Sequence, residues 1–344
     1  MSTRDEILEQ PAVVDRLVRE QRRALPALVD HLRRQRIEHV VIAARGTSDH
    51  AAVYAQYVLG ARHRLPVALA APSIVSLYGV APRFERSLVI GISQSGASPD
   101  VIGVVAAARE QGQPTLAITN DPGSELASAA DAIIDLAAGP ERGLAATKTY
   151  TAELAAIATL SAALLDDETA WDDLARAPDQ MALALASEGA ARSAADRRAT
   201  LDRCVVLGRG YDYATAREWA LKLKELAYVM ADPYSSADFQ HGPVALVEPG
   251  FAVLAVVPRG VPAAGLRELL ERLRGRGADL VVVSDDPATL AAADDGLAVP
   301  GGLAEWLMPL VDVVPAQWFA LALTEAKGLD PESPRNLHKV TRTT

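Results

Sequence analysis

Short apolar runs alternate along the chain with longer segments of mixed polarity. Four such runs in the first half recur in the same order in the second half, at a shift of about 164 residues. The paired runs are 39–52 with 203–216, 87–96 with 251–260, 114–121 with 278–286, and 129–136 with 292–299. Short apolar runs bounded by polar turns are typical of buried strands. The sequence therefore predicts two similar halves that share four strands.

Segments of helical length lie between the predicted strands, for example residues 98–112 and 265–277. In the second of these, four leucines recur at the spacing of one helix face: Leu266, Leu269, Leu270 and Leu273. Strands that alternate with helices form parallel sheets covered on both faces. The predicted fold class is therefore α/β, with two tandem doubly wound parallel-sheet domains related by an internal repeat.

Domain boundaries follow from the same pattern. An opening helical segment precedes the first strand, and residues 164–199 have the polar and amphipathic character of a helical connection. We therefore predict an N-terminal helical segment at 1–35, a first sheet domain at 36–165, a helical connection at 166–199, a second sheet domain at 200–328 and a C-terminal tail at 329–344.

Charge and hydropathy narrow the class of partner. The formal net charge is −10, and the 344 residues contain no dense cluster of Lys and Arg, which argues against nucleic acid or an anionic membrane as the main partner. We find no apolar stretch approaching the roughly 20 residues that span a bilayer. The first ten residues lack the layout of a signal peptide. We expect a cytoplasmic protein.

Cysteine and histidine usage limits the possible cofactors. Cys204 is the one cysteine, which excludes an internal disulfide and a cysteine-rich metal site, and its apolar surroundings predict burial. The six histidines are scattered and form no convincing ligand set. We expect no metal and no organic cofactor.

Two hydroxyl-rich loops follow predicted strands of the first half. Residues 93–98 read Ser-Gln-Ser-Gly-Ala-Ser, and residues 46–48 read Gly-Thr-Ser. Helix N-termini at the carboxyl ends of parallel strands bind anions, and a glycine such as Gly96 permits close approach. The alternative for a single loop is a helix-capping turn, with Ser98 as the cap. The matching loop of the second half reads Val-Pro-Arg-Gly, so we expect one phosphate site per chain.

A glycine-containing segment at 208–214 superficially resembles a dinucleotide-binding signature. It lacks glycine at the close-packing position, and no acidic residue ends a plausible second strand about 20 residues further on. A nicotinamide cofactor is therefore disfavoured.

A candidate catalytic helix spans residues 217–230. Its apolar stripe consists of Trp219, Leu223, Leu226 and Met230, and a second stripe carries Glu218, Lys222 and Glu225. Taken alone, these charges could form ion pairs on a solvated face. His241 follows in a His-Gly-Pro turn before a strand-like run, where an imidazole could transfer protons near neutral pH, although a single loop histidine can also be structural.

The sequence resembles the SIS (sugar isomerase) family, and within it the isomerase half of glucosamine-6-phosphate synthase and stand-alone deaminase relatives. Six motifs carry the resemblance in order along nearly the whole chain: GTS at 46–48, SQSG at 93–96, GPERGLAATKTY at 139–150, EWALKLKELAY at 218–228, HGPVAL at 241–246 and SPRNLHKVT at 333–341. The resemblance implies SIS domains of flavodoxin-like fold.

The resemblance also implies roles for particular residues. Glu225 is the expected base that moves a proton between C1 and C2, Lys222 stabilises the developing negative charge, His241 opens the sugar ring from a neighbouring subunit, and Lys339 contacts or forms an imine with the open-chain carbonyl. The implied substrate and phosphate contacts are Gly46, Thr47, Ser48, Ser93, Gln94, Ser95, Ser98, Glu141 and Ala146. A homodimer with a shared active site follows from the role of His241.

Departures from the family pattern concern the substrate. Ala146 stands where the synthase has a serine, His338 precedes Lys339 where a small residue is usual, and the turn at 237–243 lacks a glutamate. Isomerase-like sequence begins almost at Met1, without the synthase's glutaminase region. We therefore expect a deaminase that converts glucosamine 6-phosphate to fructose 6-phosphate and ammonia. The alternatives are a fructosamine-6-phosphate deglycase and a non-catalytic sugar-phosphate sensor.

Overall fold

The four strands predicted in each half from the repeat are present, and each sheet has one strand more. The computed structural model describes residues 2–337 and Lys339. Within these residues, the first sheet contains β1 (His39–Ala43), β2 (Val67–Leu69), β3 (Ser87–Ile92), β4 (Thr115–Thr119) and β5 (Ala132–Asp135). The second sheet contains β6 (Arg203–Gly208), β7 (Met230–Ser235), β8 (Ala252–Val256), β9 (Asp279–Ser284) and β10 (Asp295–Ala298).

Helices connect these strands. In the described part of the chain they are α1 (Thr3–Arg33), α2 (Gly46–His63), α3 (Ser73–Ser76), α4 (Pro99–Glu110), α5 (Glu125–Ala129), α6 (Lys148–Leu165), α7 (Glu168–Ala184), α8 (Glu188–Asp196), α9 (Tyr213–Ala227), α10 (Ser236–Gln240), α11 (Ala263–Gly275), α12 (Pro287–Ala291) and α13 (Pro309–Ala326). Short 3₁₀ turns occupy Leu185–Ser187, Gly210–Asp212, Pro243–Leu246 and Glu305–Leu307.

Both sheets are parallel and have the same topology. The first has the order β2-β1-β3-β4-β5, and the second, read from its β7 edge, has the order β7-β6-β8-β9-β10. This is the flavodoxin-like order of doubly wound α/β folds, in which the strand order reverses beside the first strand. The structure therefore confirms the predicted fold class and extends the repeat to a fifth strand.

The described residues form two compact units, each built around one sheet. The first-sheet unit consists of residues 12–141 and 148–175 with Lys339, and the second-sheet unit of residues 2–11, 142–147 and 176–337. In the first-sheet unit, α4 packs on β3 and α5, and α2 packs on α6. In the second-sheet unit, α9 packs on β6, β7 and α13. Helices therefore cover the strands that lead to the candidate site.

The leucine stripe of α11 is buried as predicted. Leu266, Leu269, Leu270 and Leu273 pack into one apolar cluster with residues of β6, β8 and β9. Burial of a leucine side chain stabilises a fold by about 1.5–3 kcal/mol. This stripe therefore fixes one face of the second sheet.

Among the residues that the structure describes, one helical stretch is long and apolar enough to cross a membrane, which corrects the sequence expectation that none approaches that length. The stretch is Glu305–Ala326, and its apolar window is 100% buried inside the protein. A helix that is apolar on all sides is also what the core of a large α/β protein requires. The burial identifies it as a core helix.

Two local predictions on the catalytic helix and its surroundings were wrong. The helix α9 ends at Ala227, and Met230 begins β7 with 79% of its surface exposed, so it does not belong to the apolar stripe. Tyr228 adopts the left-handed conformation with φ 56°, and its N–H closes the helix on Leu223. The segment after His241 is a 3₁₀ turn, Pro243–Leu246, rather than a strand.

Candidate functional site

The two hydroxyl-rich loops leave the same edge of the first sheet. β1 and β3 are neighbouring parallel strands, with Ala43 opposite Gly91 in the register. Because parallel strands end at a common edge, residues 46–48 and 93–98 follow adjacent strand ends. We call these two segments the phosphate cradle. Residues 46–48 form the first turn of α2 rather than a loop before it, and residues 93–98 lead into α4 at Pro99.

The 93–98 loop is held by the backbone that follows β4. The N–H of Asn120 donates to the carbonyl of Gln94 at 3.1 Å, and the N–H of Leu126 donates to the carbonyl of Gly96 at 3.0 Å. These bonds occupy two carbonyl groups of the loop. A loop whose carbonyls are occupied in this way is suited to turning N–H groups toward an anion.

Three serine hydroxyls of the loop keep a hydrogen to donate. Ser93 Oγ accepts from the N–H of Gly96 at 3.2 Å, and Ser95 Oγ accepts from the N–H of Ala97 at 3.4 Å. Ser98 occupies the N-cap of α4 but makes no side-chain capping bond, contrary to the capping alternative. A hydroxyl that accepts from the backbone still carries its own O–H donor. These three groups therefore fit the demands of phosphate oxygens.

We predict that Gly96→Ala destabilises the fold by about 1–3 kcal/mol and weakens fructose 6-phosphate binding. Gly96 has φ +60°, and a Cβ there would overlap the Ser124 hydroxyl and lie 3.0 Å from Thr119 Oγ1. The matched control is Gly112→Ala, since Gly112 has φ +70° with no atom within 4 Å of its Cβ. Thermal unfolding and calorimetric titration measure both effects. Equal binding by the two variants would contradict the prediction.

The 46–48 segment combines a glycine in the left-handed conformation with a hydroxyl that is already hydrogen-bonded. Gly46 begins α2 with φ +56°, a conformation that glycine adopts readily. Thr47 is half-buried. Ser48 is buried, and its Oγ donates to Glu153 Oε1 of α6 at 2.7 Å. The Ser48 hydroxyl hydrogen is therefore already used, and its backbone N–H is the group that could serve an anion.

Glu141 lies in the first-sheet unit, where it organises the start of α6. Its Oε1 accepts from the N–H of Thr149 at 3.1 Å, and its Oε2 accepts from Thr149 Oγ1 at 2.5 Å. Lys339 Nζ lies 3.6 Å from Glu141 Oε2. The structure therefore brings together two residues that the resemblance assigned to the sugar. The neighbouring positions His338 and Val340 lie outside the described residues.

Ala146 is half-buried in a short segment, 142–147, that the second-sheet unit holds by its backbone. Glu6 of α1 is fully buried and accepts from the N–H groups of Arg142 and Gly143. Gln317 of α13 donates to the carbonyl of Thr147 at 3.5 Å. The segment that carries Ala146 is thus fixed from both ends, and Glu6 is a supporting residue that the sequence analysis missed.

Lys222 forms a buried ion-pair group on α9 with two carboxylates. Its Nζ lies 2.6 Å from Glu225 Oε2 and 3.3 Å from Glu218 Oε1. Lys222 and Glu218 are almost fully buried, whereas the Glu225 side chain is 22% exposed. The interpretation of these charges as a solvated helix face is therefore wrong. The partly exposed carboxylate is the one placed to receive a proton from a bound molecule.

The two carboxylates keep Lys222 charged despite its burial. Burial by itself lowers the pKa of an ammonium group, but the attraction of Glu218 and then of Glu225 outweighs it and raises the Lys222 pKa above its usual value. Lys222 is therefore a cation at neutral pH. It can stabilise developing negative charge but cannot act as a base.

His241 lies exposed at the end of α10. Its backbone N–H donates to the backbone carbonyl of Asp238 at 3.0 Å. The following Gly242 has φ +140°, which favours glycine at that position. The turn therefore holds the backbone of His241 while its ring is accessible from outside this chain.

Metal and thiol chemistry find little support in the residues present. Within residues 2–337 and Lys339, no three His, Cys, Asp or Glu side chains are grouped as metal ligands. Cys204 is buried as predicted, and burial raises its pKa to about 12. A thiol with so high a pKa is not a nucleophile at neutral pH.

Known proteins resemble this chain over nearly its whole length. The isomerizing glutamine–fructose-6-phosphate aminotransferase of Mycobacterium bovis is 36% identical, over 97% of this chain and 56% of the relative. The enzyme of the same name from Methanothermobacter thermautotrophicus is 34% identical, over 88% of this chain and 51% of the relative. The chain thus spans about half the length of these curated relatives.

Solved structures also resemble this chain over nearly its whole length. A Silicibacter pomeroyi protein assigned provisionally as a phosphosugar isomerase has a TM-score of 0.85 and 32% identity, covering 96% of this chain and 99% of that one. The C-terminal domain of glucosamine-fructose-6-phosphate aminotransferase from Francisella tularensis has a TM-score of 0.87 and 26% identity, covering 96% and 97%. The family model of the SIS domain matches residues 31–163 and 200–324. The chain therefore belongs to the SIS family, and it contains the domain twice.

Proposed function

We propose that this protein is an aminosugar-phosphate isomerase and deaminase, which converts glucosamine 6-phosphate and water to fructose 6-phosphate and ammonia. The observation that carries the proposal is the buried Lys222–Glu225 pair, in which a charged ammonium lies 2.6 Å from a partly exposed carboxylate. Moving a proton beside a carbonyl requires a base together with a cation for the developing oxyanion. This pair supplies both.

In the proposed reaction, the open-chain aldehyde loses the proton on C2 to Glu225. Lys222 stabilises the negative charge that develops on the C1 oxygen, and the proton is returned at C1. The product of this transfer is an imine at C2, which water hydrolyses to the ketone with release of ammonia. No oxidant or reductant is needed, because the aldehyde is reduced at C1 as C2 is oxidised.

Substrate binding in this proposal uses the phosphate cradle. Three serine hydroxyls with hydrogens to donate and two helix starts, those of α2 and α4, match the acceptors of a phosphate group. Glu141 and Lys339, paired at 3.6 Å, are proposed to bind the sugar hydroxyls and the carbonyl. His241 is proposed to open the ring from a second copy of the chain in a homodimer, which its exposure would allow.

One finding supports ammonia rather than glutamine as the nitrogen species handled by these residues. The one cysteine of the 344 residues is buried, and its pKa is raised to about 12. A glucosamine-6-phosphate deaminase of Thermotoga maritima has the same fold, with a TM-score of 0.76 over 99% of both chains at 20% identity. That likeness concerns the fold alone, so the reaction needs a direct test.

The test is release of both ammonia and fructose 6-phosphate from glucosamine 6-phosphate by the purified protein. We expect equal amounts of the two products, with galactosamine 6-phosphate measured in parallel to define the epimer. Saturable binding of the sugar phosphates without release of either product would contradict the deaminase proposal and favour a fructosamine-6-phosphate deglycase or a sensor. Light scattering on the same preparation tests the dimer, and an active monomer would contradict the proposed role of His241.

A further inference from the structure

An arginine joins the two loops of the phosphate cradle. Arg45 follows β1 directly before Gly46, with an extended backbone at φ −142° and ψ 152°. Its Nε donates to Asp100 Oδ2 at 2.6 Å, and Asp100 lies in the first turn of α4, two residues after Ser98. Asp100 is 1% exposed, whereas the Arg45 side chain is 49% exposed. The pair therefore links the end of β1 to the first turn of α4, the helix that follows β3.

Apart from Arg45, the phosphate cradle offers neutral donors to a phosphate dianion. Between residues 45 and 48 and between 93 and 100, Arg45 is the one cationic side chain of the sequence. A guanidinium carries five N–H donors in a fixed fork, and the bond to Asp100 engages the Nε donor. The side chain that carries the Nη groups is half-exposed. A planar fork held at one side is suited to phosphate oxygens.

The internal repeat offers a comparison within the same chain. Arg209 takes the matching position after β6, with φ −157° and ψ 152°, but the repeat position of Asp100 is Ala264. The second sheet has also lost the hydroxyls, because its loop reads Val-Pro-Arg-Gly at 257–260. The arginine and the helix-start carboxylate thus occur together in the half that has the phosphate hydroxyls.

We infer that Arg45 is a phosphate-binding residue, oriented by Asp100 so that its Nη groups contact the substrate phosphate. The inference deepens the proposed function and rests on its phosphate site, although not on the deaminase chemistry. An arginine that merely neutralised the buried Asp100 would have no affinity for phosphate of its own. The two roles of Arg45, phosphate binding and neutralisation of Asp100, predict different phosphate affinities when both charged side chains are replaced together.

Calorimetric titrations with inorganic phosphate and fructose 6-phosphate test the inference on the full chain. We expect Arg45→Met to weaken binding of both probes by roughly 10–100-fold. Asp100→Asn should bind as well as the unmodified protein or more tightly, since it removes a negative charge and keeps the guanidinium. The double variant should remain as weak as Arg45→Met. Arg209→Met is the matched control and should bind normally.

Recovery of normal affinity in the double variant would overturn the inference, because Arg45 would then act only by neutralising Asp100. Unchanged binding in Arg45→Met, or no phosphate binding by the unmodified protein, would also overturn it. If Arg45→Met fails to fold, Arg45→Lys replaces it in the test. This variant keeps the charge without the fork, and we expect it to bind both probes more weakly than the unmodified protein does. Loss of binding in Arg45→Met by a protein that does not turn over glucosamine 6-phosphate would support the inference and reject the deaminase proposal.

Discussion

Replacing Glu225 by glutamine is expected to lower kcat on glucosamine 6-phosphate by about 10²–10⁴-fold and to leave fructose 6-phosphate binding nearly unchanged. The amide has the shape of the carboxylate and can still accept a hydrogen bond from Lys222, whose Nζ lies 2.6 Å away. It cannot hold a proton taken from C2. Steady-state kinetics and calorimetric titration of the same variant separate the two effects.

The matched control for this variant is Glu268→Gln. Glu268 also lies on a helix and pairs with a cation, Arg272, but the pair lies on the surface of α11, where the Glu268 side chain is 72% exposed. We expect that change to leave both kcat and the melting temperature as they were. Undiminished turnover in Glu225→Gln would remove Glu225 as the base. Loss of binding together with a lower melting temperature would assign Glu225 a structural role instead.

Glu218 explains why the lysine of this group can remain charged. It is fully buried beside Lys222, with its Oε1 3.3 Å from the lysine Nζ. Two carboxylates around one ammonium leave a net charge of −1, which raises the pKa of Lys222 against the effect of burial. The sequence spacing Glu218, Lys222, Glu225 predicted a common helix face, but the burial that gives the group its chemistry comes from the packing of α9 on α13.

The sequence predicted four strands of each sheet and missed one edge strand in each. β2 is apolar but has only three residues, Val-Ala-Leu, and β7 reads Met-Ala-Asp-Pro-Tyr-Ser, so β2 is too short and β7 too polar to match the pattern of a buried strand. Pro233 lacks an N–H for a ladder bond, which a strand tolerates at the edge of a sheet. β7 pairs with β6 alone among the described strands. Its pairing comes from tertiary structure rather than from local preference.

Long-range contacts explain what sequence spacing could not show about the candidate site. Ser48 and Glu153 are 105 positions apart, yet their bond decides that the Ser48 hydroxyl is not offered to a ligand. One signal was present in the sequence, since Glu153 is the one acidic residue of the largely apolar helix α6. A single carboxylate inside an apolar helix indicates a buried partner. Asp312 in α13 follows the same pattern.

Asp312 and Asp212 form a buried pair of carboxyl groups in the second-sheet unit. Both are almost fully buried, and burial raises the pKa of Asp212 to about 7 and holds the pKa of Asp312 well above its usual value. Asp285 and Glu305 add further negative charge nearby. Asp212 Oδ1 accepts from Thr215 Oγ1 at 2.8 Å. Within the described residues, no N–H or hydroxyl donates to Asp312, so a bond between the two carboxyls requires that the pair keep a proton.

We predict that Asp312→Asn raises the free energy of unfolding at pH 8 by on the order of 2–4 kcal/mol. A carboxyl whose folded pKa is raised binds a proton on folding between the unfolded pKa, 3.8, and the folded value, about 7 for Asp212. Stability therefore falls as the pH rises through that window, and the full loss is present above it. The amide removes this loss because it stays neutral and donates a hydrogen bond to Asp212. Chemical denaturation between pH 4 and pH 8 measures the change.

The control is Asp295→Asn, for which we expect the opposite sign at pH 8. Asp295 is also largely buried, but its Oδ2 lies 2.6 Å from Nη1 of Arg198, whose side chain is 7% exposed. Removing that carboxylate leaves a buried guanidinium with less compensation, which destabilises a fold. If Asp312→Asn also lowered stability at pH 8, the pair would be ionised or hydrogen-bonded differently from this structure. An equal pH dependence in the unmodified protein and in Asp312→Asn would contradict proton retention by the pair, because the comparison cancels other groups that titrate in that window, such as His63.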